Sequence, residues 1–257
     1  MAALAQSLAL LAMAVASMTT EVVPLDMAWS SFDDQYQGCG PAMAAALPAL
    51  NRSEFQENPM FAQAWVKARA MWQSWGSRLA PLESPGQAIA LWAYTMDDPG
   101  MYQDFNKAVG KAGSSSQEYR QHFHYKTLHF LLTDAVRTLR APQCRCVHRG
   151  TNKTFEAQLG QRVRFGQFAS TSLCRAIALG FSSDTLFQVW TCYGAEIQEF
   201  SQYPNKQEVL VPPFETFEVT KIIQQGEKVQ IYLNSTGTYS KYNCEWLQGD
   251  VLGTSWG

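Results

Sequence analysis

A single carboxylate stands where a polar turn meets an apolar run. Glu208 ends the turn, and Val209-Leu210-Val211 follows it directly. A charge at the mouth of a buried strand is costly unless it has a function. In a water-poor site such a carboxylate can stabilise a cationic transition state, because its field is strong there. A loop glutamate that merely begins a strand is the simpler interpretation, and for Glu208 alone it is the favoured one.

Two other groups could share a site with Glu208. Arg149 carries a planar guanidinium suited to phosphate or pyrophosphate, and Gly150 beside it would let a ligand approach the backbone closely. Ser170 begins a run of three hydroxyl residues, and a serine hydroxyl can orient a carboxylate or a ligand amide. Alternatives stay open here, because Arg149 could form a structural salt bridge and the Ser170–Ser172 run could cap a helix.

The elements that would position these groups divide the chain into two parts. Residues 41–140 are predicted to be helical and residues 144–246 to be rich in β structure, which gives an α+β fold class. Apolar residues recur at steps of three and four from Phe61 to Trp75, as on one buried helical face. Turn and cap residues over 51–57 predict a helix break. A long helix is predicted over 117–140.

The second part is predicted to consist of short strands separated by turns. Alternating or β-branched runs predict strands over residues 146–148, 161–168, 186–192, 196–200, 208–211, 214–223 and 228–233. Gln225-Gly226-Glu227 predicts a hairpin turn between the last two. On this interpretation Arg149, Ser170 and Glu208 all lie at strand ends.

Composition and spacing exclude two classes of function. The 257 residues carry a net charge of -2 and no dense run of Lys or Arg, which argues against nucleic-acid binding. His122, His124 and His129 lie on or near one predicted helix, but no two of them are four residues apart, as a two-histidine zinc helix requires. We therefore predict packing or hydrogen-bonding roles for these histidines and no metal site.

Several features predict secretion. Residues 1–17 are uncharged and contain Ala14-Val15-Ala16, which is typical of a signal peptide; an unprocessed N-terminal helix is the alternative. Sequons predict N-glycosylation at Asn51, Asn152 and Asn234, and six cysteines suit disulfides in an oxidising compartment. The last residues include no apolar tail, so we expect an extracellular protein with neither a GPI anchor nor a membrane span.

Ordered motifs extend over nearly the whole mature chain. Three are long or central: Arg149-Gly150, FGQFASTSL (Phe165–Leu173) and KQEVLVPPFETF (Lys206–Phe217). Three are shorter: FDDQY (Phe32–Tyr36), HYKTLHF (His124–Phe130) and YNCEW (Tyr242–Trp246). In this order they resemble the vertebrate ecto-ADP-ribosyltransferases, the arginine-specific mono-ADP-ribosyltransferases with an R-S-E-x-E signature.

The resemblance implies a toxin-like transferase fold. An N-terminal helical part would lie over two packed antiparallel sheets that hold NAD in a cleft. Residues 18–257 would form one catalytic domain, acting as a monomer with NAD as co-substrate and without a metal. The implied protein partner is an acceptor that offers an arginine side chain.

The resemblance also assigns roles in the cleavage of NAD. Arg149 would contact the phosphates, and Gly150 the nicotinamide amide through its backbone. Ser170 would position Glu208, which would hydrogen-bond the nicotinamide ribose and stabilise the oxocarbenium ion as nicotinamide leaves. Two further residues are expected to line the cleft, Phe181 and Asn106.

The resemblance pairs four of the six cysteines. The disulfides it implies are Cys39–Cys244 and Cys144–Cys192. Cys146 and Cys174 are then extra, and they could pair with each other or stay free.

The chain departs from the family pattern in the acceptor loop. Tyr203 supplies the usual aromatic residue, but Lys206 stands where arginine-specific members have the first glutamate. A lysine would repel a guanidinium acceptor, since like charges disfavour each other. Three hypotheses follow: a mono-ADP-ribosyltransferase whose acceptor could be altered, an NAD glycohydrolase in which water is the acceptor, and a non-catalytic secreted NAD-binding glycoprotein.

Overall fold

The computed structural model describes residues 22–96, 100–181 and 184–251 of the 257. The predicted signal peptide and the last residues of the chain lie outside these ranges. Among the residues described, no helix has both the length and the apolar character needed to cross a membrane.

Helices form the chain between Gly40 and Leu139, as the spacing of apolar residues predicts. They are α1 (Gly40–Glu57), α2 (Pro59–Ser74), α3 (Pro85–Thr95), α4 (Met101–Ala112), α5 (Ser116–His122) and α6 (Lys126–Leu139). An N-cap side chain accepts a backbone hydrogen bond at the start of three of them: Asn58 caps α2, Ser84 caps α3 and Ser115 caps α5. Their apolar faces enclose a core rich in aromatic rings, among them Phe32, Phe61, Trp92 and Phe105.

The helix break predicted over 51–57 is wrong, because α1 continues through these residues. The single helix predicted over 117–140 is also wrong, because it divides before Lys126. One buried side chain accounts for the second difference. The Glu54 carboxylate accepts hydrogen bonds from the backbone N–H groups of Lys126 and, at 2.9 Å, of Thr127. Glu54 therefore caps α6 from a neighbouring helix, a contact that no local pattern reveals.

Most of the remaining chain forms strands. They are β1 (Val22–Pro24), β2 (Arg145–Thr151), β3 (Thr154–Glu156), β4 (Arg162–Val163), β5 (Ala169–Ser172), β6 (Thr185–Thr191), β7 (Ala195–Glu196), β8 (Glu208–Val211), β9 (Glu215–Gln225) and β10 (Lys228–Thr238). Two short helices complete the fold, α7 (Arg175–Phe181) and α8 (Glu245–Val251). The strand predicted over 196–200 ends at Glu196, and a 3-10 turn follows at Gln198–Phe200.

The strand predicted over 161–168 is correct only for the two residues of β4. The chain leaves the sheet at Arg164, whose buried guanidinium pairs with Asp33 at 2.6 Å. It also donates hydrogen bonds to three backbone carbonyl groups, those of Met27, Ala28 and Tyr239. A buried charge needs such partners, so their positions override the alternating pattern.

The strands are connected differently from the two antiparallel sheets that we expected. Eight of them form one sheet in the order β4-β9-β10-β6-β2-β5-β8-β7, in which β6 and β10 are parallel, and β1 and β3 form a separate parallel pair. Within the large sheet, β2 meets β5 through the single residue pair His148–Ser172, which we call the seam. Val147 on one side of the seam and Val209 and Val211 on the other share one apolar cluster, so the two halves of the sheet pack together.

Two disulfides join distant parts of the chain, as the resemblance implied: Cys39–Cys244 and Cys144–Cys192. The first ties the start of α1 to the start of α8. The second joins adjacent ends of β2 and β6. Two cysteines carry free thiols, Cys146 and Cys174.

Candidate functional site

A cavity of about 480 Å³ opens beside the seam, between the sheet and the adjacent ends of α3 and α4. Seven of the eight site residues predicted from the sequence line it: Arg149, Gly150, Ser170, Phe181, Tyr203, Lys206 and Glu208. The sequence separates these residues by up to 59 positions, and the strand ends bring them together. No group of His, Cys, Asp and Glu that could bind a metal ion occurs in the described parts of the chain.

Glu208 is the first residue of β8, and only 8% of its surface is exposed. In the ladder it stands opposite Ser172, with Ser170 two residues further along the same face of β5. Burial raises the pKa of Glu208, while a hydrogen bond from Ser170 and the charges of Lys206 and Arg149 lower it. The site therefore holds a nearly water-free carboxylate whose charge is supported by a hydroxyl and two cations.

Arg149 spans the seam. Its Nη1 donates a 2.7 Å hydrogen bond to the backbone carbonyl of Ser170, and its Nη2 lies 3.5 Å from the hydroxyl of Tyr102. These contacts fix the guanidinium at the edge of the cavity beside Glu208. A planar guanidinium fork in this position is a group that can bind a diphosphate through paired hydrogen bonds.

Two tyrosines and a serine that the sequence analysis did not select also belong to the site. Tyr94 donates a 2.9 Å hydrogen bond to the carbonyl of Phe168, and its hydroxyl is also hydrogen-bonded to Ser170. Its ring meets that of Tyr102 edge to face. Ser172 donates a 2.7 Å hydrogen bond to the carbonyl of Lys206 and so anchors the acceptor loop. The spacing of Ser170 and Ser172 on one strand face was the available signal for the serine.

Asn106 does not line the cavity, contrary to the expectation. It is buried on α4, and its Nδ2 donates to the carbonyl of Phe168 at 3.2 Å and to the Tyr94 hydroxyl at 3.4 Å. Asn106 therefore supports Tyr94 from one layer behind the cavity. The helical pattern predicts that Asn106 points toward the interior. It does not predict whether the side-chain amide lines the cavity or lies in the layer behind it.

The acceptor loop places a cation between two aromatic rings. The loop forms a 3-10 turn over Pro204–Lys206, and Gln207 follows in the left-handed conformation at φ 46°. The Lys206 Nζ lies 3.9 Å from the ring centroid of Tyr203 and 5.2 Å from that of Phe181. Each contact is a cation–π interaction, so the ammonium group is held at the rim of the cavity.

The pH dependence of catalysis should report the environment of Glu208. A reaction that needs the ionised carboxylate loses rate as the pH falls through its pKa, and burial raises that pKa above its ordinary value of 4.5. The acid limb of kcat/KM for NAD cleavage should therefore lie above the range of an exposed glutamate. Lys206→Gln should move the limb to still higher pH, because the lysine lowers the pKa of Glu208. Lys221→Gln, at an exposed position on β9, is the control. If the acid limb of Lys206→Gln lies at the same pH as that of the wild type, the assignment of this limb to Glu208 is wrong.

Comparison with known protein families accounts for most of the chain. The family model described as NAD:arginine ADP-ribosyltransferase matches residues 25–241. The chain belongs to this family. The match includes every residue that lines the cavity.

Named relatives agree with this assignment. The chain is 49% identical over 240 residues to chicken NAD(P)(+)--arginine ADP-ribosyltransferase 2, a match that covers 91% of this chain and 76% of the relative. It is 44% identical over 250 residues to human GPI-linked NAD(P)(+)--arginine ADP-ribosyltransferase 1, covering 89% and 76%.

Solved structures place the fold in the same family. The mono-ADP-ribosyltransferase ART2.2 superposes with a TM-score of 0.77 at 37% identity, covering 86% of this chain and 98% of that one. Mutants of ART2.2 have been solved in complex with NADH and with NAD. The toxin-like α+β fold expected from the sequence is therefore confirmed, with the sheet connectivity described above.

Proposed function

We propose that this chain is an NAD-dependent mono-ADP-ribosyltransferase, which cleaves the bond between nicotinamide and ribose and transfers ADP-ribose to an acceptor. By family the acceptor is a protein arginine side chain. The convergence of Arg149, Ser170 and Glu208 on one cavity is the observation that carries the proposal. The names of several relatives include NAD(P), so NADP is a second candidate donor.

The geometry supports a cleavage step driven by electrostatics. Arg149 binds the diphosphate. The backbone of Gly150 contacts the nicotinamide amide, which can come close because glycine has no side chain. The bond between C1′ and the nicotinamide nitrogen breaks, its electron pair leaves with nicotinamide, and the ribose becomes an oxocarbenium ion. The buried Glu208 carboxylate stabilises that cation, because few water molecules screen its field. The acceptor then adds to C1′ and loses a proton.

Ser170 is a positioning residue in this scheme. Its hydroxyl is hydrogen-bonded to Glu208 and to the buried Tyr94. These contacts hold the carboxylate toward the cavity before NAD binds, which reduces the reorganisation needed at the transition state.

A specific observation favours a second candidate function, NAD glycohydrolysis. The Lys206 ammonium stands at the cavity rim between Tyr203 and Phe181, where a cationic acceptor would have to approach. A guanidinium is repelled by that charge, whereas water is not. A glycohydrolase would use the same Arg149 and Glu208 but release free ADP-ribose.

Purified protein incubated with NAD, with and without the guanidine acceptor agmatine, tests the proposal. Nicotinamide, free ADP-ribose and ADP-ribosyl-agmatine are measured together. We expect nicotinamide release in both reactions and ADP-ribosyl-agmatine when agmatine is present, with some free ADP-ribose beside it because Lys206 repels the guanidinium; free ADP-ribose as the sole product would favour the glycohydrolase. Equal yields of nicotinamide and ADP-ribosyl-agmatine would mean that Lys206 is tolerated. No consumption of NAD would reject both enzymatic functions in favour of a non-catalytic NAD-binding glycoprotein.

We further propose an extracellular location for the chain, with residues 1–17 as a signal peptide and residues 18–257 as one monomeric catalytic domain. The two disulfides suit an oxidising compartment. Asn152 and Asn234 are exposed, which supports glycosylation there, whereas the Oδ1 atom of Asn51 is buried without a hydrogen-bond partner. Some relatives are named as GPI-linked, so a lipid anchor is the alternative to release.

A further inference from the structure

The two cysteines with free thiols flank the candidate site. Cys146 lies on β2, three residues before Arg149, and Cys174 lies four residues after Ser170, at the start of α7. Both are half-buried. Neither has a part in the cleavage of NAD described above.

The register of the seam relates the positions of these two cysteines. The seam pairs His148 with Ser172 in an antiparallel ladder. Cys146 is two residues before His148, and Cys174 is two residues after Ser172, so the two would face each other if the register of the seam continued one step past the end of β5. Residues two apart on a strand point to the same face. Directly opposed residues in an antiparallel ladder have Cα atoms about 4.5–5.5 Å apart, within the range that a disulfide spans.

The segment around Cys174 stays close to β2 after β5 ends. The Cys174 N–H donates a 3.1 Å hydrogen bond to Ser172 Oγ, and the Leu173 N–H donates to the carbonyl of Gln207 at 3.1 Å. Helix α7, which begins at the next residue, packs against β2. The backbone of Cys174 is therefore fixed between Ser172 of β5 and the first turn of a helix that packs against β2.

We propose that Cys146 and Cys174 form a third disulfide, which closes the seam beside the NAD site. Two thiols lose two protons and two electrons, and a small-molecule disulfide such as oxidised glutathione accepts them and becomes two thiols. Exchange proceeds through a mixed disulfide on one cysteine, which the other cysteine then displaces.

The cross-link would reinforce the contact that assembles the site. A single residue pair joins β2, which carries Arg149, to β5, which carries Ser170. A covalent bond one register step away limits how far these strands can separate. It also encloses the loop between them, which restricts the unfolded chain and raises the melting temperature.

Peptide mapping of the intact secreted protein tests the proposal directly. Alkylation without reduction is followed by trypsin, which cleaves after Arg145, Arg149, Arg164, Arg175 and Lys206. Cys146 then lies on peptide 146–149 and Cys174 on peptide 165–175, and neither contains a sequon. We expect these two peptides to be recovered cross-linked after treatment with a glutathione redox buffer. Their recovery as separate alkylated peptides would overturn the proposal.

Two controls make the result unambiguous. Peptides 141–145 and 176–206, joined by Cys144–Cys192, serve as the internal standard, and a link from 165–175 to either of them would also overturn the proposal as mispairing. The double variant Cys146→Ser/Cys174→Ser should melt about 5 °C or more below the oxidised wild type. If the cross-link forms but the two melting temperatures do not differ, the proposed role of the disulfide in closing the seam is wrong. Neither readout depends on catalytic activity, so failure here is distinct from failure of the proposed function.

Discussion

Glu208→Gln should lower the rate of nicotinamide release from NAD by at least about 10²–10³-fold. The amide has the shape of the carboxylate but no charge, so it cannot stabilise a developing oxocarbenium ion. The effect should be large because Glu208 is buried and supported by Ser170, and its field acts where little water screens it. The loss should appear in kcat, since the charge on the ribose develops mainly in the transition state.

The matched control is Glu218→Gln, which makes the same change at an exposed position on β9. It should retain wild-type turnover. Both variants should melt near the wild-type temperature, because replacing a buried charge by an amide removes no packing. Turnover within a few-fold of wild type in folded Glu208→Gln would mean that another group carries the cleavage.

Lys206→Glu should raise ADP-ribosylation of agmatine by roughly tenfold or more. The substitution replaces a cation at the cavity rim with an anion, so repulsion of the guanidinium becomes attraction across a few ångströms. It also removes the cation that now occupies the space between the rings of Tyr203 and Phe181. In the variant those rings can contact the acceptor guanidinium in place of the lysine.

A charge series separates this explanation from a general effect. The yield of ADP-ribosyl-agmatine per nicotinamide released should increase from Lys206 to Lys206→Gln to Lys206→Glu. Lys221→Glu reverses a charge at an exposed position on β9 and should leave the ratio unchanged. An unchanged ratio across the series in folded proteins would remove Lys206 as the determinant of acceptor choice.

The strand ends of the site could be predicted from sequence because their signals are local. Glu208 precedes a short apolar run that two prolines follow, and the strand predicted over 208–211 matches β8. Arg149 and Ser170 are residue types suited to phosphate binding and carboxylate positioning, but a salt bridge and a helix cap were equally open, and the roles followed from the family resemblance. The two disulfides followed from the family resemblance rather than from any local pattern.

Contacts between distant segments could not be predicted in this way. The capping of α6 by Glu54 joins residues 72 positions apart, and the hydrogen bond from Tyr94 to Phe168 joins residues 74 positions apart. Asn106 was expected in the cleft but acts one layer behind it, since depth in a packed core depends on neighbouring helices. The seam between β2 and β5 likewise depends on strand order, which hydrophobic pattern alone does not determine.

The central claim is that NAD is bound and cleaved in the cavity shared by Arg149 and Glu208. A crystal structure of Glu208→Gln with NAD tests it most directly, because the substitution should preserve the substrate. We expect the diphosphate to contact the Arg149 guanidinium, the nicotinamide amide to contact the Gly150 backbone, and the side chain of residue 208 to face ribose C1′. NAD bound elsewhere, or bound with its ribose turned away from residue 208, would contradict the account.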